Sequence, residues 1–139
     1  MIEIDNRTDF NLNENILNKI SEKFTKKGIE LIITDDIEIK NINREQRNKN
    51  KITDVLSFPL EDFEYAPLGS IIISIDRVKE KANEFKHSEN EEFTLLFIHG
   101  LLHLLGFDHE IDNGQMREKE KELIKEFNLP SSLIVRSLD

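Results

Sequence analysis

The stretch "FIHGLLHLLGFDHE", residues 97–110, limits what this chain can fold into more than any other feature. It sets three of the four histidines of the chain inside its most apolar segment. An apolar run of this kind has to be buried, and a buried imidazole needs a partner. His99 and His103 are four residues apart. On a helix their rings share one face, one turn from each other. They fall in the last two turns, where the negative end of the helix dipole favours a cation. Gly106 can take a left-handed backbone that Leu or Phe resists, so the chain can turn sharply and bring His109 back towards the first two rings. Three imidazoles suit zinc or a similar borderline metal and leave a fourth position open for water. His99, His103 and His109 are therefore read as ligands of one zinc-like ion. The competing reading, histidines hydrogen-bonded in a core, explains one such residue better than three at these spacings. His87 has no partner at useful spacing and is read as surface.

His at i, i+4 and i+10 with Gly at i+7 is also the spacing of the metzincin peptidases. Those enzymes need a glutamate directly after the first histidine as general base. That position here is Gly100, which can do no acid–base work. The metal-binding half of the motif is present without its peptidase half.

With 139 residues and no linker or repeat, a single domain over residues 1–139 is expected. "MIEID" alternates like a strand. Ile16, Leu17, Ile20 and Phe24 form a helical stripe stopped near Gly28. "IELIIT" reads as a strand buried on both faces. "DDIEIKNINREQ" fits a helix capped by Asp35 or Asp36 and running to about Gln46, because no Gly offers a tight hairpin there. "TDVLSFPL" is a strand that Pro59 places at an edge or an end. "EDFEYAPLG" is loop, and "SIIISI" is a central strand. Asp76 caps the next helix, and Ser88 with Glu91 forms a capping box for the histidine helix. A last helix covers about Asp112 to Phe127, with Met116, Leu123, Ile124 and Phe127 buried and "REKEKE" on a solvated face. The expected class is α+β, with about four strands and five helices.

A net charge of −9 opposes nonspecific contact with nucleic acid. "NREQRNKNK", residues 43–51, runs against that trend, with Arg44, Arg47, Lys49 and Lys51 against Glu45 alone. It is either a solvated loop or a local phosphate-binding patch. The chain has no cysteine, so it has no disulfide partner and suits a reducing cytosol. The N-terminus lacks the pattern of a signal peptide. The longest apolar run falls short of the roughly 20 residues needed to span a bilayer, so no membrane role is expected.

Two motifs resemble those of a known family. "HGLLHLLGFDH" is similar to the signature of the YbeY endoribonucleases, bacterial metalloproteins of ribosomal RNA maturation. "NREQRNKNKITDVLSFP" is similar to the family's second motif, and "LGSIIIS" to the strand that follows it. The resemblance runs from about Leu31 to Glu122. This chain departs from the pattern at Phe107 and Gln46, where tyrosines are usual, at Ile52 for proline and at Ser70 for aspartate. None of these removes a metal ligand. The resemblance implies a small mixed sheet covered by helices, with a zincin-like metal helix packed against it. It implies zinc on His99, His103 and His109, and a functional arginine at Arg47. It also implies a single-stranded substrate in small-subunit ribosomal RNA, with the small ribosomal subunit as partner.

The residues suit that chemistry. A metal with an open position can polarise a phosphoryl oxygen or acidify bound water. An arginine fork can hold two non-bridging oxygens at once, which a lysine cannot. Arg47 is thus the candidate catalytic residue, and Arg44, Lys49 and Lys51 join it as candidate RNA contacts. No residue stands out as general base. Asp108 either orients an imidazole or only shapes the turn. Three functions remain open at this point: a metal-dependent endoribonuclease, a metal-stabilised ribosome-assembly or RNA-binding factor, and a hydrolase of another substrate. The acidic net charge suits a protein that reaches RNA through a local groove or ribosome-associated proteins.

Overall fold

A computed structural model describes residues 1–61 and 66–135. Four strands form one mixed sheet: β1 (Ile2–Asn6), β2 (Ile29–Thr34), β3 (Val55–Pro59) and β4 (Gly69–Ser74). Their order is β1-β2-β4-β3. β1 pairs with β2, and β2 with β4, in parallel, while β3 runs antiparallel to β4. β4 is central and β3 is an edge strand that ends at Pro59, whose missing N–H does no harm there. Six helices complete the described chain: α1 (Glu14–Glu22), α2 (Asp36–Arg47), α3 (Ile75–Phe85), α4 (Glu89–Leu104), α5 (Gln115–Glu126) and α6 (Ser132–Val135). Among the described residues no helix is long and apolar enough to cross a membrane. Part of the expected loop "EDFEYAPLG", residues 62–65, lies outside the described residues.

The two faces of the sheet are covered differently. Leu31, Ile33, Val55, Ile71 and Ile73 point into the main core with α1, α3, α4 and α5. Leu56 and Ile72, one residue out of step, point the other way and meet Ile39 of α2. This is the period-two alternation of a strand buried on both faces. α4 lies between the sheet and the outer helices, so residues 92–102 are all buried. A helix that is apolar all round can only be stable in such a place. Gly100 makes the close approach possible. A Cβ there would lie 3.0 Å from Ile71, 3.1 Å from Ser57 and 3.3 Å from Val55. The Ser57 hydroxyl donates to the Gly100 carbonyl at 3.0 Å, tying α4 to the edge strand.

Several local expectations shift. α1 ends at Glu22, and Phe24 packs on the core from beyond it. Ser74, not Asp76, holds the N-cap position of α3. The Asp76 carboxylate instead accepts from the Asp36 N–H at the start of α2, at 2.9 Å. The Asp36 carboxylate in turn accepts from the Ser74 hydroxyl and from two nitrogens of Arg77. The exchange locks the two helix starts together. α5 begins three residues later than expected, because Asp112 accepts from the N–H groups of Gly114 and Met116 and caps it from outside. His87 is not a surface residue. Its side chain is buried, and its Nε2 lies 2.8 Å from the fully buried Glu92 carboxylate.

Gly69 opens β4 where no side chain fits. A Cβ would lie 2.5 Å from the Phe58 carbonyl oxygen and 2.9 Å from the Pro59 Cα, both backbone atoms. Gly69→Ala is expected to lower stability by about 1–3 kcal/mol through overpacking. Urea unfolding at neutral pH checks this. A loss below about 0.5 kcal/mol would show that the β3–β4 pair relaxes freely.

Candidate metal centre

The C-terminal end of α4 builds the site. Gly106 has φ +98°, a backbone that favours glycine. The Gly106 N–H reaches the His103 carbonyl and the Phe107 N–H reaches the Leu102 carbonyl, both at 3.0 Å. These two bonds form a Schellman turn that stops the helix and reverses the chain. The reversal carries His109 back to His99 and His103. The three ring centroids lie 4.7, 5.6 and 5.7 Å apart. One ring nitrogen from each falls within 4.8 Å of the other two.

The proton positions follow from the partners. His99 Nδ1 lies 3.1 Å from the Glu120 carboxylate, and His103 Nδ1 lies 3.0 Å from the Phe107 carbonyl oxygen. Both partners are acceptors, so the network assigns the proton of each neutral ring to Nδ1. Each Nε2 is then a bare lone pair, and the two face each other at 3.2 Å. Lone pairs that close repel unless a cation lies near both. Two nitrogens on a tetrahedral zinc, at about 2.0–2.1 Å from it, sit roughly 3.3 Å apart. His109 Nδ1 is buried with no hydrogen-bond partner among the described residues. The tautomers, the spacing and this orphan nitrogen all fit a bound divalent metal, and the three histidines can hold one.

Glu120 was missed by the sequence reading, which put "REKEKE" on a solvated face. Its side chain is only 3% exposed. The available signal was its register: Glu120 falls on the stripe of Met116, Leu123 and Ile124, all buried. Asp108 does not orient an imidazole through a side-chain hydrogen bond. Its carboxylate accepts from the Glu110 N–H and shapes the turn, and a backbone carbonyl orients His103 instead.

The histidines line a cleft of about 430 Å³ together with Arg47, Ser57, Pro59 and Phe107. Arg47 is the last residue of α2, stopped by Asn48 in the left-handed region. It is exposed and makes no ion pair among the described residues. Arg44, one turn earlier, opens instead on a neighbouring hollow beside Lys40, Asn50 and Ile52. Lys49 and Lys51 are exposed on the loop that follows. The structure therefore brings Arg47 to the histidines and leaves the other three basic residues outside the cleft. Gly100 faces the sheet with no room for a glutamate.

Burial, helped by the neighbouring His99, pushes the His103 imidazolium below its ordinary value. In the metal-free protein, His103 stays neutral where the unfolded chain, with a pKa of about 6.5, already binds a proton. The unfolded state then binds more protons, so stability rises with pH. The contribution is complete above about pH 6.5 and is lost as pH falls through the folded value. Urea unfolding of metal-free protein between about pH 7.5 and 5.5 should show this loss, and His103→Gln should flatten it. An unchanged slope in the variant would contradict the assignment.

The chain is similar to known proteins over nearly all of its length. The family model described as Endoribonuclease YbeY matches residues 2–128. The Endoribonuclease YbeY of Nautilia profundicola is 63% identical over 139 residues, covering all of both chains. That of Sulfurimonas denitrificans is 58% identical over 137 residues, covering 99% of each. A Thermotoga maritima protein solved in solution superposes with a TM-score of 0.60 at 29% identity, covering 92% of each chain. This chain belongs to the YbeY endoribonuclease family.

Proposed function

We propose that this chain is a zinc-dependent endoribonuclease that cuts single-stranded RNA during maturation and quality control of small-subunit ribosomal RNA. Its place of work is then the cytoplasm, on or near the small ribosomal subunit. The observation that carries the reading is the shared cleft: Arg47 and the three histidines line the same walls. Zinc on His99, His103 and His109 would supply a Lewis acid and an acidified water at its open position. Arg47 supplies the fork. With no partner of its own among the described residues, it is available to hold two non-bridging oxygens of the scissile phosphate. Charge builds on those oxygens during cleavage, so the contact strengthens as the bond breaks. Arg44, Lys49 and Lys51 attract flanking phosphates by charge alone. The net charge of −9 keeps the rest of the surface unattractive to RNA, which suits delivery by ribosome-associated proteins.

A structural metal site is normally closed by a fourth protein ligand. Of the three acids near His109 in sequence, Asp108 and Asp112 cap backbone N–H groups, and Glu110 lines the cleft without joining the group of donor atoms that the three histidines form. That supports an enzyme over a metal-stabilised binding factor.

Cleavage of a single-stranded RNA oligonucleotide tests the role of Arg47. Arg47→Ala is expected to leave metal content and thermal stability nearly unchanged and to slow cleavage about 10- to 150-fold, the loss of a charge-assisted bidentate contact. Arg47→Lys should recover little. Arg44→Ala should act less strongly, mainly through salt-sensitive RNA affinity. Equal small losses at both arginines would reduce the segment to a diffuse basic patch. Falling metal content in Arg47→Ala would make the arginine structural.

A further inference from the structure

We propose that Glu120 is a positioning residue for the metal, acting through His99, and that its negative charge sets how tightly the three histidines hold the ion. The inference rests on the metal reading above. A carboxylate buried to 3% exposure is unfavourable unless charge or hydrogen bonds compensate it. Glu120 has one cation in ion-pair range and no close hydrogen bond to it. Its nearest cation, Arg117 Nη1, stands 3.7 Å from Oε1, beyond a good hydrogen bond. The same Arg117 nitrogen is committed at 2.8 Å to the Leu133 carbonyl of α6. The close partner of Glu120 is His99 Nδ1, at 3.1 Å, placed to donate to the carboxylate. The far nitrogen of that ring, Nε2, faces the Nε2 of His103 at 3.2 Å, so a cation there would lie one imidazole away from the buried carboxylate.

Two effects follow from one contact. The hydrogen bond holds His99 in the tautomer that exposes Nε2 and fixes the ring plane. The carboxylate charge, passed through the ring, makes Nε2 a stronger donor to a cation. The other two rings have no such support: His103 leans on a neutral carbonyl, and His109 Nδ1 has no partner among the described residues. One carboxylate therefore offsets half of the charge of a divalent ion held by otherwise neutral ligands. Its position on α5 also joins the ion to the helix that follows α4 and, through Arg117, to α6.

Zinc titration of metal-free protein against a chromophoric chelator tests the proposal, with no reliance on cleavage. Glu120→Gln keeps the shape and an acceptor but removes the charge; Glu120→Leu removes both. The zinc dissociation constant is expected to rise about 10- to 100-fold in Glu120→Gln and further in Glu120→Leu. The urea midpoint of metal-free Glu120→Gln should stay near that of the parent. In imidazole ¹⁵N–¹H spectra of metal-free protein, His99 should remain Nδ1-protonated in Glu120→Gln and lose that state in Glu120→Leu. Dissociation constants within twofold of the parent in both variants would overturn the proposal and leave the metal reading intact. Weaker binding that merely tracks a lower metal-free stability would also overturn it. A parent that binds no zinc in the same titration would remove both readings together.

Discussion

Burial of α4 on every side is the constraint from which the site follows. A helix enclosed between a sheet and three other helices reaches solvent only at its two ends. Its C-terminal end opens on the cleft, and two of the three cleft histidines lie in its last turns. The close approach of α4 to β3 depends on Gly100 and on the Ser57 hydroxyl bond. That same contact brings the edge strand, and with it the end of α2, to the mouth of the cleft. The Schellman turn at Gly106 then closes the ligand set within a few residues. Packing, helix termination and ligand convergence are three results of one arrangement.

The electrostatics are built for a cation, and the backbone does much of the work. Two Nδ1 protons are pinned by acceptors, one a carboxylate and one a carbonyl. Two Nε2 lone pairs are thereby forced towards each other. The end of a helix adds its negative dipole at the same place. A divalent ion held there would draw on both lone pairs, which couples metal binding to stability. Arg47 approaches from a different element, at the C-terminus of α2, so its positive charge meets the cleft without entering the ligand set.

Much of this is legible in the chain itself. The spacing of His99 and His103, the glycine at Gly106 and the capping box at Ser88 mark the helix, its end and its start. The short apolar run in "SIIISI" marks a central strand. The parts that escape are those that depend on what lies across a gap. Glu120 is hidden in a run of charges, and only its register with Met116 and Leu123 gives it away. His87 has no partner along a helix; it is buried because the α3–α4 turn folds it onto Glu92, five residues on. Asp76 sits beside a helix start and caps a different helix, which no local rule can anticipate. α6 is four residues long, too short for any periodicity to register. The meeting of Arg47 with the histidines comes from the strand order and, in the sequence alone, only from the family resemblance.

Three imidazoles converge to where they can hold one ion, two of them through the nitrogens that their partners leave bare. The most direct measurement is anomalous diffraction at the zinc edge from crystals of untagged protein grown with zinc. The account predicts a single strong peak at the end of α4, about 2.0–2.1 Å from one ring nitrogen of each of His99, His103 and His109. No peak there, or a peak held by carboxylates elsewhere while the three rings stay unliganded, would contradict it.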